Sequence, residues 1–435
     1  MLIPILIFFV VYIFIISEKI DKTIIAMLGA FAMIATKSLS YELAIEAIDF
    51  NVIFLLTGMM ACVIVLSKTG FFEWVAISVA KWAKGNPLKI LVFFLGLTAF
   101  LSAFLDNVTT VILLAPVTIL IAQLLEISAI PFLILEAIAS NIGGTATLIG
   151  DPPNIIIGSQ ADLSFNEFLM NLAPVILIVF GFFILTIYLI FRKKWNIPNS
   201  IKNRVIDSVP HLAIIDKKNM IKALIVLGFI FIGFFVHDTF NLKPGLIAIT
   251  GGMIMIITCK SSIDETLMKV EWAVIFFFIG LFIVIAGLEH NGVLGVLANS
   301  AMALSGNNLF LMCAIILCVS ALISAFLDNI PFVITMIPII KEIIVQFSQS
   351  AAIVDPALVQ AQIAYPLWWS LALGACLGGN GTLIGASANI IVSKIGDKNN
   401  SHISFIKFFT YGFPLMIQSI LICLAYIWIR YFYLA

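Results

Sequence analysis

Apolar residues run through the chain in long blocks, and short polar punctuation divides them. Residues 2–17, 52–67, 90–105, 108–125, 168–191, 223–236 and 408–429 carry no charge at all. Several approach or exceed the ~18 consecutive apolar residues that mark a membrane-crossing helix. Taken in order, the first half predicts helices over 2–17, 23–36 and 51–67, then an amphipathic segment over 70–83. Two apolar arms follow over 88–125, divided by Asp106-Asn107, then a segment over 130–158 and a long helix over 165–192. The fold class is therefore an all-α polytopic membrane protein.

One block breaks this pattern from within. Residues 141–159 read NIGGTATLIGDPPNIIIGS, with two adjacent glycines, two threonines, an aspartate and a Pro-Pro pair directly after an apolar run. Gly143 and Gly144 weaken a helix, and Pro152-Pro153 removes two amide donors and drives Asp151 out of the helical region. In a bilayer, broken backbone survives only where protein or a water-filled site satisfies it. The segment over 130–158 thus reads as a broken helix, which in membrane proteins points to a binding site.

The chain contains this feature twice. LSAFLDN at 101–107 recurs as ISAFLDN at 323–329, an offset of 222 residues that also pairs Asp49 with Glu271, Gly58 with Gly280 and Pro116 with Pro338. GGTATLIGDPPNIII at 143–157 recurs as GGNGTLIGASANIIV at 378–392, now at an offset of 235. The division is repeat 1 over 1–194 (hairpin 88–125, broken helix 130–158), a polar linker over 195–218, and repeat 2 over 219–435 (hairpin 308–346, broken helix 365–395).

Composition agrees: the chain is 62% apolar and 11% charged, where soluble domains carry about 25% charged residues. The arms around Asp106 and Asp328 read as re-entrant hairpins, giving about five crossings per repeat and an inverted arrangement of the two. With the linker placed in the cytoplasm, nineteen Lys and Arg fall inside and four outside, a strong positive-inside bias. Both termini then lie outside the cytoplasm, in a multi-pass cell membrane protein. The first apolar run has no basic n-region and no small-residue cleavage pattern, so it does not read as a cleaved signal. Six scattered cysteines and four histidines form no CxxC or HExxH pattern, and no nucleophile–base pair lies at membrane depth. The expectation is a protein that is not an enzyme and has no cofactor beyond a coupling ion, H⁺ or Na⁺.

The candidate chemistry sits in the repeated features. Acids at membrane depth cost roughly 2.5–3.5 kcal/mol on insertion scales and mark function by default; here they are Asp106, Glu136, Asp151 and Asp328. Asp106-Asn107, with Thr109, and Asp328-Asn329 occupy equivalent hairpin tips. Half-helices of about 10–12 residues reach only about 15–18 Å, so their ends meet those tips near the midplane. There Asn141, Thr145, Thr147 and Asn154, with Asn380, Thr382 and Asn389, offer neutral donors and acceptors. Gly143-Gly144 and Gly378-Gly379 permit close backbone approach. Asp151 is matched by Ala386 and Glu136 by Leu371. Asp151 is thus the leading proton-coupling or substrate-charge candidate, followed by Asp106, Asp328 and Glu136.

The GG-x-x-T-x-x-G-x-P-P-N pattern, the paired FLDN tips and the repeat resemble the ion transporter superfamily, most closely its arsenical-pump and citrate-transporter-like permeases and the P-permease branch. The resemblance implies a homodimer in which hairpins and broken helices move as an elevator against a scaffold. It implies Na⁺-ligand roles for Asn107 and Asn329, which match the asparagine of the Ser-Asn-Thr tips of divalent-anion/sodium symporters. The implied function is secondary active transport of a small anion or oxyanion, of the arsenite or citrate-like carboxylate class. A Na⁺/H⁺ antiporter and an anion channel are the alternatives. No nucleic-acid partner is implied.

Overall fold

A computed structural model describes residues 2–17, 19–195, 197–291, 298 and 302–434. Among the described residues every regular element is helical, and nine helices are long and apolar enough to cross a membrane. The helices that begin the chain, Leu2–Ser17, Lys22–Ala35 and Phe50–Ser67, start within a residue of the sequence expectation, as does Phe165–Phe191. Polar residues fix the last three of those starts: Asp21 and Asp49 accept from early backbone amides, and Ser164 with Glu167 forms a capping box, so some of the orphan donors of these first turns are satisfied. The linker is not a plain loop, since it folds into a short helix, Asn199–Ile206.

The first hairpin is Pro87–Phe104 and Asn107–Leu124, the second Leu309–Phe326 and Asn329–Ser350. All four arms are among the helices long enough to span. A two-armed hairpin returns the chain to its side of entry at any depth of insertion, so the sidedness argument is unaffected. Leu105-Asp106 and Leu327-Asp328 form the extended tips, where Asp106 accepts from the Thr109 amide at 2.8 Å and Asp328 from the Ile330 amide at 3.3 Å.

The broken helices are Ile130–Gly144 with Pro152–Gln160, and Tyr365–Gly378 with Ser387–Lys398. Their halves are unequal, 15 and 9 residues in the first and 14 and 12 in the second, so the break lies off-centre rather than between the equal halves expected. Each break is held by the same asparagine, with one of its two carbonyl partners shifted by one residue between the repeats. Asn154 Nδ2 donates to the carbonyls of Thr145 (3.1 Å) and Thr147 (2.9 Å); Asn389 Nδ2 donates to those of Gly379 (2.8 Å) and Thr382 (2.9 Å). Thr147 and Thr382 hydroxyls donate to the Ala103 and Ala325 carbonyls, satisfying orphan acceptors where the first arm of each hairpin ends. A Cβ on Gly143 would stand 2.1 Å from the Ala99 carbonyl oxygen, and one on Gly378 2.6 Å from that of Ala321. These glycines let broken helix and hairpin touch backbone to backbone.

The two halves interlock. Helix Lys22–Ala35 packs on Trp272–His290, and Phe50–Ser67 packs on Pro244–Thr258. Gly280 abuts the backbone of Ala26, and Gly58 that of Ala248, each within 2.6 Å of an added Cβ; the two contacts are related by the 222-residue offset. One end of the bundle gathers Lys68–Glu265 (3.1 Å), Arg204–Glu126 (2.8 Å) and the linker, and the other holds Lys243–Asp162 (2.5 Å).

Candidate functional site

The hairpin tips and the two breaks converge on one buried cluster. Asp151 is wholly buried and precedes the uncapped helix Pro152–Gln160. Its Oδ1 accepts from Asn107 Nδ2 at 3.2 Å and from Asn329 Nδ2 at 3.4 Å, so one carboxylate oxygen bridges the tips of both hairpins. Its Oδ2 is buried without a hydrogen-bond partner.

Asn141 is the second hub, likewise wholly buried. Its Oδ1 accepts from Asn107 Nδ2 at 3.2 Å, and its Nδ2 donates to Asn380 Oδ1 at 2.9 Å and Asn389 Oδ1 at 3.1 Å. Cys376, its counterpart in the second half, donates to Asn154 Oδ1 at 3.4 Å. The remaining amide of Asn380 has no partner. Such networks cost free energy wherever a polar group stays unpaired, and two of the six buried unpaired side-chain atoms among the described residues belong to this cluster.

A cavity of ≈ 250 Å³ opens against it, with Asp106, Asn107, Asp151 and Asn329 in its wall. From elsewhere in the fold come Lys22, Glu271, Ser387 and Lys394. Lys22 forms an ion pair with Asp328, and Ser387 Oγ lies 3.2 Å from the same Asp328 oxygen. Asp106 instead accepts from the Thr109 hydroxyl, so the two equivalent acids differ in partner. Leu56, Met60, Val274 and Phe277 close the apolar side. The helices Pro152–Gln160 and Ser387–Lys398 both begin at this wall with no side-chain cap. Pro152 and Pro153 carry no amide N–H and the Asn154 amide donates to the Asp151 carbonyl, so the first helix end offers no free donors. Ser387–Lys398 instead begins with the amides of Ser387 and Ala388, which favour negative charge.

The sequence-predicted residues thus divide. Asp106, Asn107, Asp151 and Asn329 line the cavity; Asp328 reaches it through Lys22; Asn141, Asn380 and Asn389 form the layer behind it. Thr145 donates to its own helix at the Asn141 carbonyl, and Thr147, Asn154 and Thr382 hold the breaks. Gly143, Gly144, Gly378 and Gly379 serve backbone packing. Glu136 stands apart: buried on Ile130–Gly144, it accepts from the Thr118 hydroxyl at 2.5 Å, its other oxygen is unpaired, and it does not line this cavity. Lys22, Glu271, Ser387 and Lys394 were not among the predicted residues. A sequence signal existed for three of them, since Lys22, Ser387 and Lys394 face Pro244, Pro152 and Ser159 in the repeat. Among the described residues no group of three metal-ligating side chains comes together, and the six cysteines are free.

Several known proteins with similar sequence or fold carry transporter names. An uncharacterized transporter of Mycobacterium bovis is 39% identical over 435 residues, covering 98% of each chain. The P protein of Mus musculus is 33% identical over 503 residues, covering 97% of this chain and 59% of its own. The YdaH transporter of Alcanivorax borkumensis, described as having an unusual topology, shares the fold at TM-score 0.58 and 13% identity, over 86% of this chain and 84% of its own. The profile of the CitMHS citrate transporter family matches residues 12–374. With that match over most of its length, this chain is a multi-pass membrane transporter and a member of the citrate transporter family.

Proposed function

We propose that the protein is a secondary active carrier of a small anion, a citrate-like carboxylate or an oxyanion such as arsenite, coupled to H⁺ or Na⁺. The observation that carries this reading is Asp151, whose one oxygen ties both hairpin tips together while the other stands unpaired beside the cavity. A coupling cation on that oxygen balances a buried charge, and the lysines and the amide end of Ser387–Lys398 in the same wall suit an anion. On this reading the two repeats are inverted, the hairpins are re-entrant and act with the broken helices as the moving elevator of a homodimer, and Asn107 and Asn329 supply Na⁺ ligands. The lysine-rich end that meets the linker is cytoplasmic, and the cavity opens toward it in this state.

A Na⁺/H⁺ antiporter is the second reading, favoured by one observation: Asp106, Asp151 and Glu271 outnumber Lys22 and Lys394 in the cavity wall. Reconstitution in vesicles with imposed pH or Na⁺ gradients separates the readings. The carrier accumulates citrate or arsenite against its concentration when a gradient is present; the antiporter moves only Na⁺ and H⁺. A channel lets solute run downhill and never accumulates it.

A further inference from the structure

The repeat relates contacts as well as elements, and one contact is present at only one end of the molecule. At the Lys243 end, Asp49, which caps helix Phe50–Ser67, grips the last turn of Pro152–Gln160. Ser159 Oγ donates to Asp49 Oδ1 at 3.0 Å and Gln160 Nε2 to Oδ2 at 2.8 Å, while Asn51 Nδ2 donates to Ser159 Oγ at 2.9 Å. A polar cavity of ≈ 290 Å³ lies at that end, lined by Asn51, Ser159 and Lys243, and none of the Asp151 cluster lines it. The grip separates the buried cluster from that end.

The repeat maps Asp49 onto Glu271 at an offset of 222 and Ser159 onto Lys394 at 235. Glu271 sits at the start of Trp272–His290 as Asp49 sits at the start of Phe50–Ser67, yet it caps nothing with its side chain. Lys394 is exposed and lies on Ser387–Lys398, as Ser159 lies on Pro152–Gln160. Neither side chain makes a hydrogen bond or ion pair with a described residue in this conformation, and both line the ≈ 250 Å³ cavity. The other members of the Asp49 grip, Asn51 and Gln160, map onto Ala273 and Ile395. At this end, then, the only polar partner the repeat gives Glu271 is Lys394.

We propose that Glu271 and Lys394 form an ion pair that closes the cavity in a second conformation, in which the Asp49–Ser159 grip is released. Two interlocked repeats related by pseudo-symmetry generate the alternative state by exchanging their conformations, so a contact closed at one end becomes its counterpart at the other. In the present state the Asp49 grip is closed and the Glu271 gate is open, which is why this acid and this lysine face one cavity unpaired. The inference rests on reading the molecule as an alternating carrier, and it adds which residues shut the second side.

Cysteine trapping tests it without any solute. Glu271→Cys/Lys394→Cys and Asp49→Cys/Ser159→Cys are oxidised in membranes, and peptide mass spectrometry separates each disulfide from the six native cysteines. A disulfide forms only when the Cα atoms approach to about 4.4–6.8 Å. The expected result is that both pairs cross-link singly, and that in the fourfold variant no molecule carries both bonds. Both bonds in one molecule, or no 271–394 bond where 49–159 forms, overturns the proposal. As a second measurement, Glu271→Lys and Lys394→Glu each slow citrate exchange about tenfold, the effect of about 1.4 kcal/mol, and the double swap restores it. Two slow singles with no restoration overturn the ion pair. A wild type that moves no solute but shows exclusive cross-links removes the proposed substrate and leaves the gate standing.

Discussion

Replacing Asn141 by alanine probes the bond between the halves most severely. Asn141 makes three buried side-chain hydrogen bonds, two of them to Asn380 and Asn389 of the other half. Its partners do not suffer equally. Asn107 keeps Asp151, and Asn389 loses the donor to its Oδ1 but keeps its amide bonds to the Gly379 and Thr382 carbonyls. Asn380 loses the partner of its oxygen while its amide already has none. Interhelical side-chain hydrogen bonds in membranes measure about 0.6 kcal/mol on average and up to about 1.7. A buried polar group stripped of its partner costs about 1–3 kcal/mol. Asn141→Ala therefore costs about 2–5 kcal/mol in all. Asn380→Ala removes the stranded amide, so the double variant is less destabilised than the sum of the singles by about 1–2 kcal/mol. Reversible unfolding in mixed micelles, run as a double-mutant cycle, measures this. Singles that add to within about 0.3–0.5 kcal/mol would show that the two asparagines are not coupled, and the network described here would be wrong.

Other expectations follow from the same geometry. Gly58→Ala and Gly280→Ala drive a methyl into the backbone of the facing helix and cost about 1–3 kcal/mol each. Gly181→Ala, with nothing within 4 Å of the new atom, is neutral or stabilising by up to about 1 kcal/mol; equal melting shifts for all three would refute the close-approach argument. Asp151→Asn keeps an acceptor for Asn107 and Asn329 but loses the charge, so flux under a pH or Na⁺ gradient falls at least about tenfold while expression holds; gradient-driven flux that survives would move coupling to Asp106 or Asp328. Glu136→Gln retains the Thr118 bond outside the cavity and leaves that flux within about threefold, under 1 kcal/mol; a loss equal to that of Asp151→Asn would bring Glu136 into the coupling path. Lys22→Gln leaves the mostly buried Asp328 with the Ile330 amide and the Ser387 hydroxyl but no counter-ion, so unfolding free energy falls by about 1–3 kcal/mol; no measurable loss would show that the pair does not hold the hairpin tip.

The sequence displayed what local chemistry writes twice. Hairpin tips, breaks and helix starts were legible because Asp, Asn, Pro and Gly punctuate an apolar chain at repeated offsets, and the asymmetry of Asp151 stood out against Ala386. The partners of those residues were not legible, because they come from distant elements. Lys22 meets Asp328 across 306 positions, and in the sequence it reads as one more positive charge at a helix end. Glu271 reads only as the repeat partner of Asp49, and only packing shows that it caps nothing and faces a cavity. The glycine pairs illustrate the converse: one residue type fits a binding site and a packing seam alike, and the facing backbone of Ala99 and Ala321 decides for packing.

The central claim is that the cavity at Asp151 holds the anion together with its coupling ion. Its most direct test is thermal stabilisation of the purified protein by citrate, measured across pH and Na⁺ concentration in the wild type and in Asp151→Asn. At a ligand concentration of about 100 Kd, binding to the folded form alone adds about 2.7 kcal/mol. The account predicts stabilisation that grows with H⁺ or Na⁺ in the wild type and loses that dependence in Asp151→Asn. Stabilisation that is identical in the two proteins at every pH and Na⁺ concentration would contradict it.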